Sequence, residues 1–152
     1  MSLTTTTPDA VLFPETHYVF IEQTGPFQNT APQCWQSLHA LIPTISTHNT
    51  VEKYFSLYNV EKKVYRAGVS LAAAPKNLPE GVRYEKVSGG KYNRFILTGP
   101  FSQLADATCR AFEIVAEKKI AVRDGFNIEY YVNDPRVTPE ADLITEIMFP
   151  AA

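Results

Sequence analysis

Two glutamates stand inside stretches that are otherwise apolar or aromatic. Glu129 lies in Phe126-Asn127-Ile128-Glu129-Tyr130-Tyr131-Val132, and Glu146 in Leu143-Ile144-Thr145-Glu146-Ile147-Met148-Phe149. A carboxylate there needs a reason, because burying a charge without compensation is costly. Two kinds of chemistry suit it. The carboxylate can offset the charge of a cationic ligand, with each well-placed tyrosine face adding ~0.5–2 kcal/mol of cation–π attraction. Alternatively, desolvation raises its pKa and it works as a general acid or base. Glu129 is the first choice, because Tyr131 follows two residues on and a strand puts both on one face. That alternation places Phe126, Ile128, Tyr130 and Val132 toward a helix layer, and Asn127, Glu129 and Tyr131 toward a ligand groove. In the second stretch Ile144, Glu146 and Met148 share a face. For either glutamate the plain alternative is a sheet-surface position paired with Arg or Lys.

Other rings are candidates for the walls of such a site. Tyr18, Tyr54, Tyr58, Tyr65, Tyr92 and Phe101 are each equally compatible with ordinary core, and Trp35 reads as core first and groove border second. No residue stands out as firmly catalytic; Glu129, Glu146 and Tyr131 would carry the chemistry if the chain turns a substrate over. His17, His39 and His48 are too scattered for a metal site, and His39, one turn beyond Trp35, is expected to face solvent. Cys34 and Cys109 lack CxxC or Cys/His metal spacing and read as reduced, partly buried thiols in helices. There is no GxSxG elbow, no P-loop and no dinucleotide fingerprint, so no cofactor is expected.

Composition narrows the classes further. The 152 residues are 45% hydrophobic and 20% charged, enough for one domain with a real core. The formal net charge is −2, and the basic pairs Lys62-Lys63 and Lys118-Lys119 sit beside Glu61 and Glu117. A nucleic-acid binder normally carries a basic stripe, so direct nucleic-acid contact is not expected. No apolar run approaches the ~18–20 residues of a membrane span. Residues 1–15 lack the basic start and apolar centre of a secretory signal; they read as a flexible tail, and the cytoplasm is the default compartment.

The elements that must position these residues are organised around a repetition. Thr24-Gly25-Pro26-Phe27 returns unchanged as Thr98-Gly99-Pro100-Phe101. At the same offset Tyr18 falls on Tyr92, Ala31 on Ala105, Leu38 on Phe112 and Leu41 on Val115. Each copy leaves a β-rich run, turns at Gly-Pro and enters helical apolar spacing. The first copy predicts a strand at 17–22 and a helix from Thr30, with Pro32 early and Pro43 ending it. Tyr54 to Tyr58 is ambiguous between strand and helix; strands follow at 64–70 and 82–87, separated by a loop over 72–81. The second copy predicts a strand at 92–97, a helix from Ser102, its N-cap, to Lys119, then strands at 126–132 and 143–149. The order is β-α-β-β twice. It predicts an α+β tandem βαββ duplication with pseudo-twofold symmetry: an antiparallel sheet, two helices on one face and a ligand groove between the halves.

Taken together, these residues resemble the GyrI-like superfamily. The resemblance is carried by the repeated strand to Gly-Pro-Phe, by Glu129-x-Tyr131-x-Asn133-Asp134-Pro135, and by Leu143-Ile144-Thr145-Glu146-Ile147-x-x-Pro150. The Pro79-Glu80-Gly81 turn before the strand leading to Gly90-Lys91-Tyr92 adds to it, and the likeness runs from Tyr18 to Pro150. It implies one domain over 16–152, with halves at about 16–90 and 91–150. It also implies a small amphipathic or cationic ligand held in an aromatic groove with a glutamate at its base, as in the effector-binding domains of AraC-type and MerR-type regulators. With only some sixteen residues before the first strand, a stand-alone binding protein without a DNA-binding domain is expected. Two further readings follow from the resemblance: a hydrolase of strained, cyclopropane-type electrophiles, and a gyrase-inhibitor-like role with a protein partner.

Overall fold

A computed structural model describes residues 5–152. Their elements run β1 (Asp9–Phe13), β2 (Thr16–Thr24), α1 (Phe27–His48), β3 (Val51–Asn59), β4 (Val64–Leu71), β5 (Arg83–Val87), β6 (Gly90–Thr98), α2 (Leu104–Glu117), β7 (Asn127–Tyr131) and β8 (Ile144–Pro150). The chain is α+β, as expected. It divides into two compact units, one of Pro14–Gly89 and one joining the residues up to Phe13 with Gly90–Ala152. The first orders its strands β3-β4-β2-β5 and the second β7-β8-β6-β1, every pair within a unit antiparallel. Each unit therefore repeats one plan, in which the strand after the helix lies outermost and the last strand of the βαββ set is inserted beside it.

The repeated Thr-Gly-Pro-Phe performs the same local task twice. Gly25 and Gly99 have φ of 140° and 150°, which an L side chain rarely adopts. The Gly25 N–H donates to the Lys63 carbonyl at 2.9 Å and the Gly99 N–H to the Leu143 carbonyl at 2.8 Å. Each accepting residue immediately precedes the last strand of its βαββ set, so the glycine ties the strand-to-helix turn to that strand. The proline then opens helical turns: Asn29 and Thr30 N–H donate to the Pro26 carbonyl, and Gln103 N–H to that of Pro100.

In the Pro14–Gly89 unit, α1 lies on the sheet face that carries Val19, Tyr65, Ala67, Val69 and Leu71. Cys34, Leu38 and Ile45, at helical spacing, close that core. The helix does not stop at Pro43 as the sequence predicts; it continues to His48 through both Pro32 and Pro43. A proline inside a helix costs about 3 kcal/mol. Ile45, two residues past Pro43, is fully buried, and such burial returns about 1.5–3 kcal/mol. Asn49 then fixes the end, its amide donating to the Ile45 and Lys76 carbonyls at 3.0 and 2.8 Å. The opposite sheet face is also closed. Tyr18 stacks on Phe55 at 4.4 Å and on Phe20 at 5.2 Å, and its hydroxyl donates to the Phe55 carbonyl at 2.9 Å. Gly68 makes room for that ring, since a Cβ there would meet it at 2.4 Å.

In the other unit, Phe95 and Leu97 of β6 and Ile147 and Phe149 of β8 pack beneath Ala107, Ala111 and Ile114 of α2. Ser102 is not the N-cap; it lies in a 3-10 turn, Phe101–Gln103, that leads into the helix with no side-chain cap. Part of the expected tail is ordered. Asp9–Phe13 forms β1 against β6, Thr5 accepts the Ile96 N–H on its hydroxyl at 2.9 Å, and Asp9 pairs with Arg94 at 3.2 Å. Residues 1–4 of that tail lie outside the described residues.

Candidate functional site

The register of β7 against β8 decides where the two glutamates point. Glu129 stands opposite Ile147 and Tyr131 opposite Thr145, while Tyr130 stands opposite Glu146 and Ile128 opposite Met148. Cross-strand partners share a face, and Ile147 belongs to the core under α2. Glu129 and Tyr131 therefore lie on the helix side, and Ile128, Tyr130, Glu146 and Met148 on the side away from it. The sequence expectation that Ile128 and Tyr130 meet the helix layer is reversed. Its premise is that the apolar face must be the helix face. Ile128 and Met148 are buried on the face away from α2, so apolarity does not tell the two faces apart.

On the helix side a compact cluster forms around Glu129. The Thr108 hydroxyl of α2 donates to Oε2 at 3.3 Å, and the Tyr131 hydroxyl donates to Oε1 at 3.1 Å. The Tyr131 ring meets Phe101 edge to face, centroids 5.6 Å apart at 72°. Glu129, Tyr131 and Thr108 are half-buried and Phe101 is 38% exposed, so the cluster reaches solvent through rings. Its members come from β7, from α2 and from the turn after the second Gly-Pro. Thr108 is the residue that sequence reasoning misses. The available signal is a hydroxyl at a stripe position of α2, in line with Leu104, Ala111 and Val115 at i, i+4, i+7 and i+11.

Glu146 is placed differently. Arg94 of β6 contacts it at 3.5 Å and Asp9 of β1 at 3.2 Å, forming a short chain of alternating charge. This is the paired arrangement that the sequence leaves open as the plain alternative. Tyr130 stands alongside; burial, and then the negative charge of Glu146, push its hydroxyl pKa upward.

The remaining candidates fall into two groups. Tyr18, Tyr92 and Met148 are interior. Burial drives the Tyr18 hydroxyl pKa well above its ordinary value, the nearby Tyr65 adding to the effect. The others gather on the α1 side of their own sheet. Tyr58 and Tyr65 are buried against Phe27 at 5.7 and 5.6 Å, and the Trp35 indole N–H donates to the Tyr65 hydroxyl at 2.8 Å. Tyr54 and Trp35 are half-buried; Tyr54 stacks on His39 at 6.1 Å and the Trp35 ring lies tilted against it at 5.6 Å. His39 is exposed, as expected, but it is one ring of an aromatic triad rather than a bystander.

Among the described residues no group of three His, Cys, Asp or Glu side chains could hold a metal, and no helix is long and apolar enough to cross a membrane. Both cysteines are free. Cys34 is buried and Cys109 is exposed, so the expectation of partial burial fits neither. Desolvation, together with the Glu22 charge, pushes the Cys34 thiol up to about 11. A recess of about 140 Å³ lies where α1 meets the loop after β4, lined by His48, Asn49, Thr50, Ala72, Ala73, Ala74 and Lys76. It is below the ~300–1,000 Å³ usual for small-molecule sites and holds none of the candidate residues.

Solved structures with this fold are numerous at low sequence identity. The C-terminal domain of EcmrR superposes with a TM-score of 0.71 at 18% identity, covering 94% of this chain and 96% of that one. SAV2435 bound to tetraphenylphosphonium gives 0.69 at 14% identity, covering 95% and 93%. A hydrolase from Listeria innocua gives 0.61 at 14% identity, covering 96% and 92%. No curated protein matches the chain. The family model of the GyrI-like small molecule binding domain matches residues 6–152, spanning both βαββ sets and β1. With the fold and the match in agreement over nearly its whole length, this chain belongs to the GyrI-like family of small-molecule-binding domains.

Proposed function

We propose that the chain binds a small amphipathic cation at the cluster of Glu129, Tyr131, Phe101 and Thr108. The observation that carries this reading is a half-buried carboxylate flanked by an edge-to-face pair of partly exposed rings. Rings supply apolar area and a negative face, and the carboxylate supplies a fixed opposite charge. The bound tetraphenylphosphonium of SAV2435, a lipophilic cation on the same fold, supports the class of ligand. Trp35, Tyr54 and His39 form a separate ring cluster within the Pro14–Gly89 unit, to be tested by their own substitutions. The direct test is a calorimetric titration with tetraphenylphosphonium and with tetraphenylborate, which has nearly the same shape and the opposite charge. The cation should bind measurably better than the anion. Equal binding of both, or of neither, contradicts the proposal.

A second reading has one geometric observation behind it. The 3.1 Å hydrogen bond from the Tyr131 hydroxyl to Glu129 pairs a proton donor with a carboxylate, an arrangement that general acid–base hydrolysis of a strained electrophile can use. A Listeria innocua hydrolase shares the fold. Incubation with a cyclopropane-bearing alkylator followed by mass spectrometry separates the readings. Ring-opened product that is lost in Glu129→Gln supports turnover, and unchanged compound removes it.

A further inference from the structure

We infer that the open edge of β1 is a self-association surface, along which a second copy of the chain adds its own β1 antiparallel, the two Val11 residues meeting on the dyad. β1 pairs on one side with β6, and among the described residues no strand pairs with its other side. The direction of its backbone groups follows from the next pairing along. The Ala151 N–H donates to the Lys91 carbonyl at 2.9 Å, so Lys91 turns its backbone groups toward β8. Gly90, Tyr92 and Arg94, alternating with it, turn theirs toward β1. Their partners Phe13, Val11 and Asp9 answer them, which leaves Ala10 and Leu12 directing N–H and C=O to the open side. Pro8 and Pro14, which bound the strand, have no N–H, so a ladder built on this edge is confined to β1 itself.

Open edges are normally guarded by charge, and β5 of the other unit shows how. Its Arg83, Glu85 and Lys86 are exposed and pair with Glu22, Arg66 and Glu15. β1 carries only Asp9, which is held by Arg94. On its other face Ala10 is exposed and Leu12 is 76% exposed. An antiparallel pair centred on Val11 sets each Leu12 opposite the other copy's Ala10, a large side chain beside a small one. It also joins all four outward N–H groups to carbonyls, in a closed twofold pairing. Moving the dyad to Leu12 would set the two leucines against each other and run the ladder onto Pro14. Two strands of five residues fall well short of a standard interface of about 1,200–2,000 Å², so the dimer is weak and depends on concentration.

Sedimentation equilibrium over a range of about 20 to 500 µM, where so small an interface should act, reads the association directly. The wild-type mass should climb from that of one chain toward that of two. Ala10→Pro removes one outward N–H and no bond to β6, so it should stay monomeric throughout with wild-type circular dichroism. Leu12→Glu, whose carboxylate meets Lys91 across its own strand pair, should do the same and keeps every backbone donor. Position is tested by cross-linking in a Cys109→Ser background. Val11→Cys puts two thiols on the dyad in a pair without mutual hydrogen bonds, ~4.5 Å between Cα atoms, and should form a disulfide dimer on mild oxidation. Glu85→Cys, on the guarded edge, should not. A chain that is monomeric at every concentration overturns the inference. So does association that survives either Ala10→Pro or Leu12→Glu, or a cross-link that forms no faster through Val11→Cys than through Glu85→Cys.

Discussion

At the scale of single residues, Glu129 and Glu146 look alike in the sequence and differ in surroundings. Glu129 accepts the Thr108 and Tyr131 hydroxyls beside the Phe101 ring, and Glu146 joins Arg94 and Asp9 in an ion chain. Glu146→Gln should therefore affect the stability of the unit that holds it more than ligand binding, while Arg94→Ala leaves a half-buried carboxylate and should be worse, by about 1–3 kcal/mol in chemical denaturation. A smaller loss for Arg94→Ala than for Glu146→Gln would reject that ordering. Glu22 makes a pH-dependent contribution. Burial alone would raise its carboxyl, but hydrogen bonds and charge from Arg66 and Arg83 hold it below its ordinary value. A depressed carboxyl contributes stability above its unfolded pKa, and this is lost as pH falls through the folded value. The stability gap between wild type and Glu22→Gln should thus be present at pH 7 and close on acidification; a gap that widens in acid refutes the assignment. Tyr18 and Cys34 run the other way. Both are raised by burial, Cys34 to about 11 from 9.0, so their neutral forms stabilise the fold below the unfolded pKa. Stability should fall as pH rises from about 9 toward 11, and Cys34→Ala should flatten part of that alkaline slope in thermal unfolding.

At the scale of elements, most of the strands and both helices are legible in the sequence, because alternation and helical spacing report burial on one face at a time. The misses have physical causes. α1 runs through Pro43 because Ile45 still reaches the core, a tertiary gain that local propensity cannot show. β1 reads as tail because a short edge strand, Asp9–Phe13, is recognised only by its partner β6. The facing of β7 is reversed because Ile128 is buried on the face away from α2. Gly68 shows the same dependence on a distant partner: nothing near it in sequence announces the Tyr18 ring that lies across it. Gly68→Ala places a Cβ 2.4 Å from that ring and 2.6 Å from the Val19 carbonyl, so it should destabilise by about 1–3 kcal/mol in urea unfolding. Truncating Tyr18 to Leu in the same chain should recover part of the loss. A Gly68→Ala variant as stable as wild type would show that Tyr18 is not pinned there.

At the scale of the whole molecule, the repeated Thr-Gly-Pro-Phe is the most informative feature of the sequence, and the structure gives it a mechanism. In each unit the glycine N–H reaches the residue before the last strand of the βαββ set, and the strand order is the same in both. The family match over residues 6–152 fixes the class of the chain as a small-molecule-binding domain. Which side chains serve the ligand is only half legible. Glu129 and Tyr131 are identified by their spacing, but Thr108 and Phe101 join them through tertiary placement, and a sequence cannot separate interior tyrosines such as Tyr18 from half-buried ones such as Tyr54. The account turns on Glu129 being the carboxylate that meets a cation. Glu129→Gln and Glu146→Gln, confirmed folded by circular dichroism, should be titrated with tetraphenylphosphonium beside the wild type. Glu129→Gln should weaken binding about tenfold or more and Glu146→Gln by less than about twofold, tenfold corresponding to about 1.4 kcal/mol. Wild-type affinity in Glu129→Gln, or a larger loss in Glu146→Gln, would contradict it.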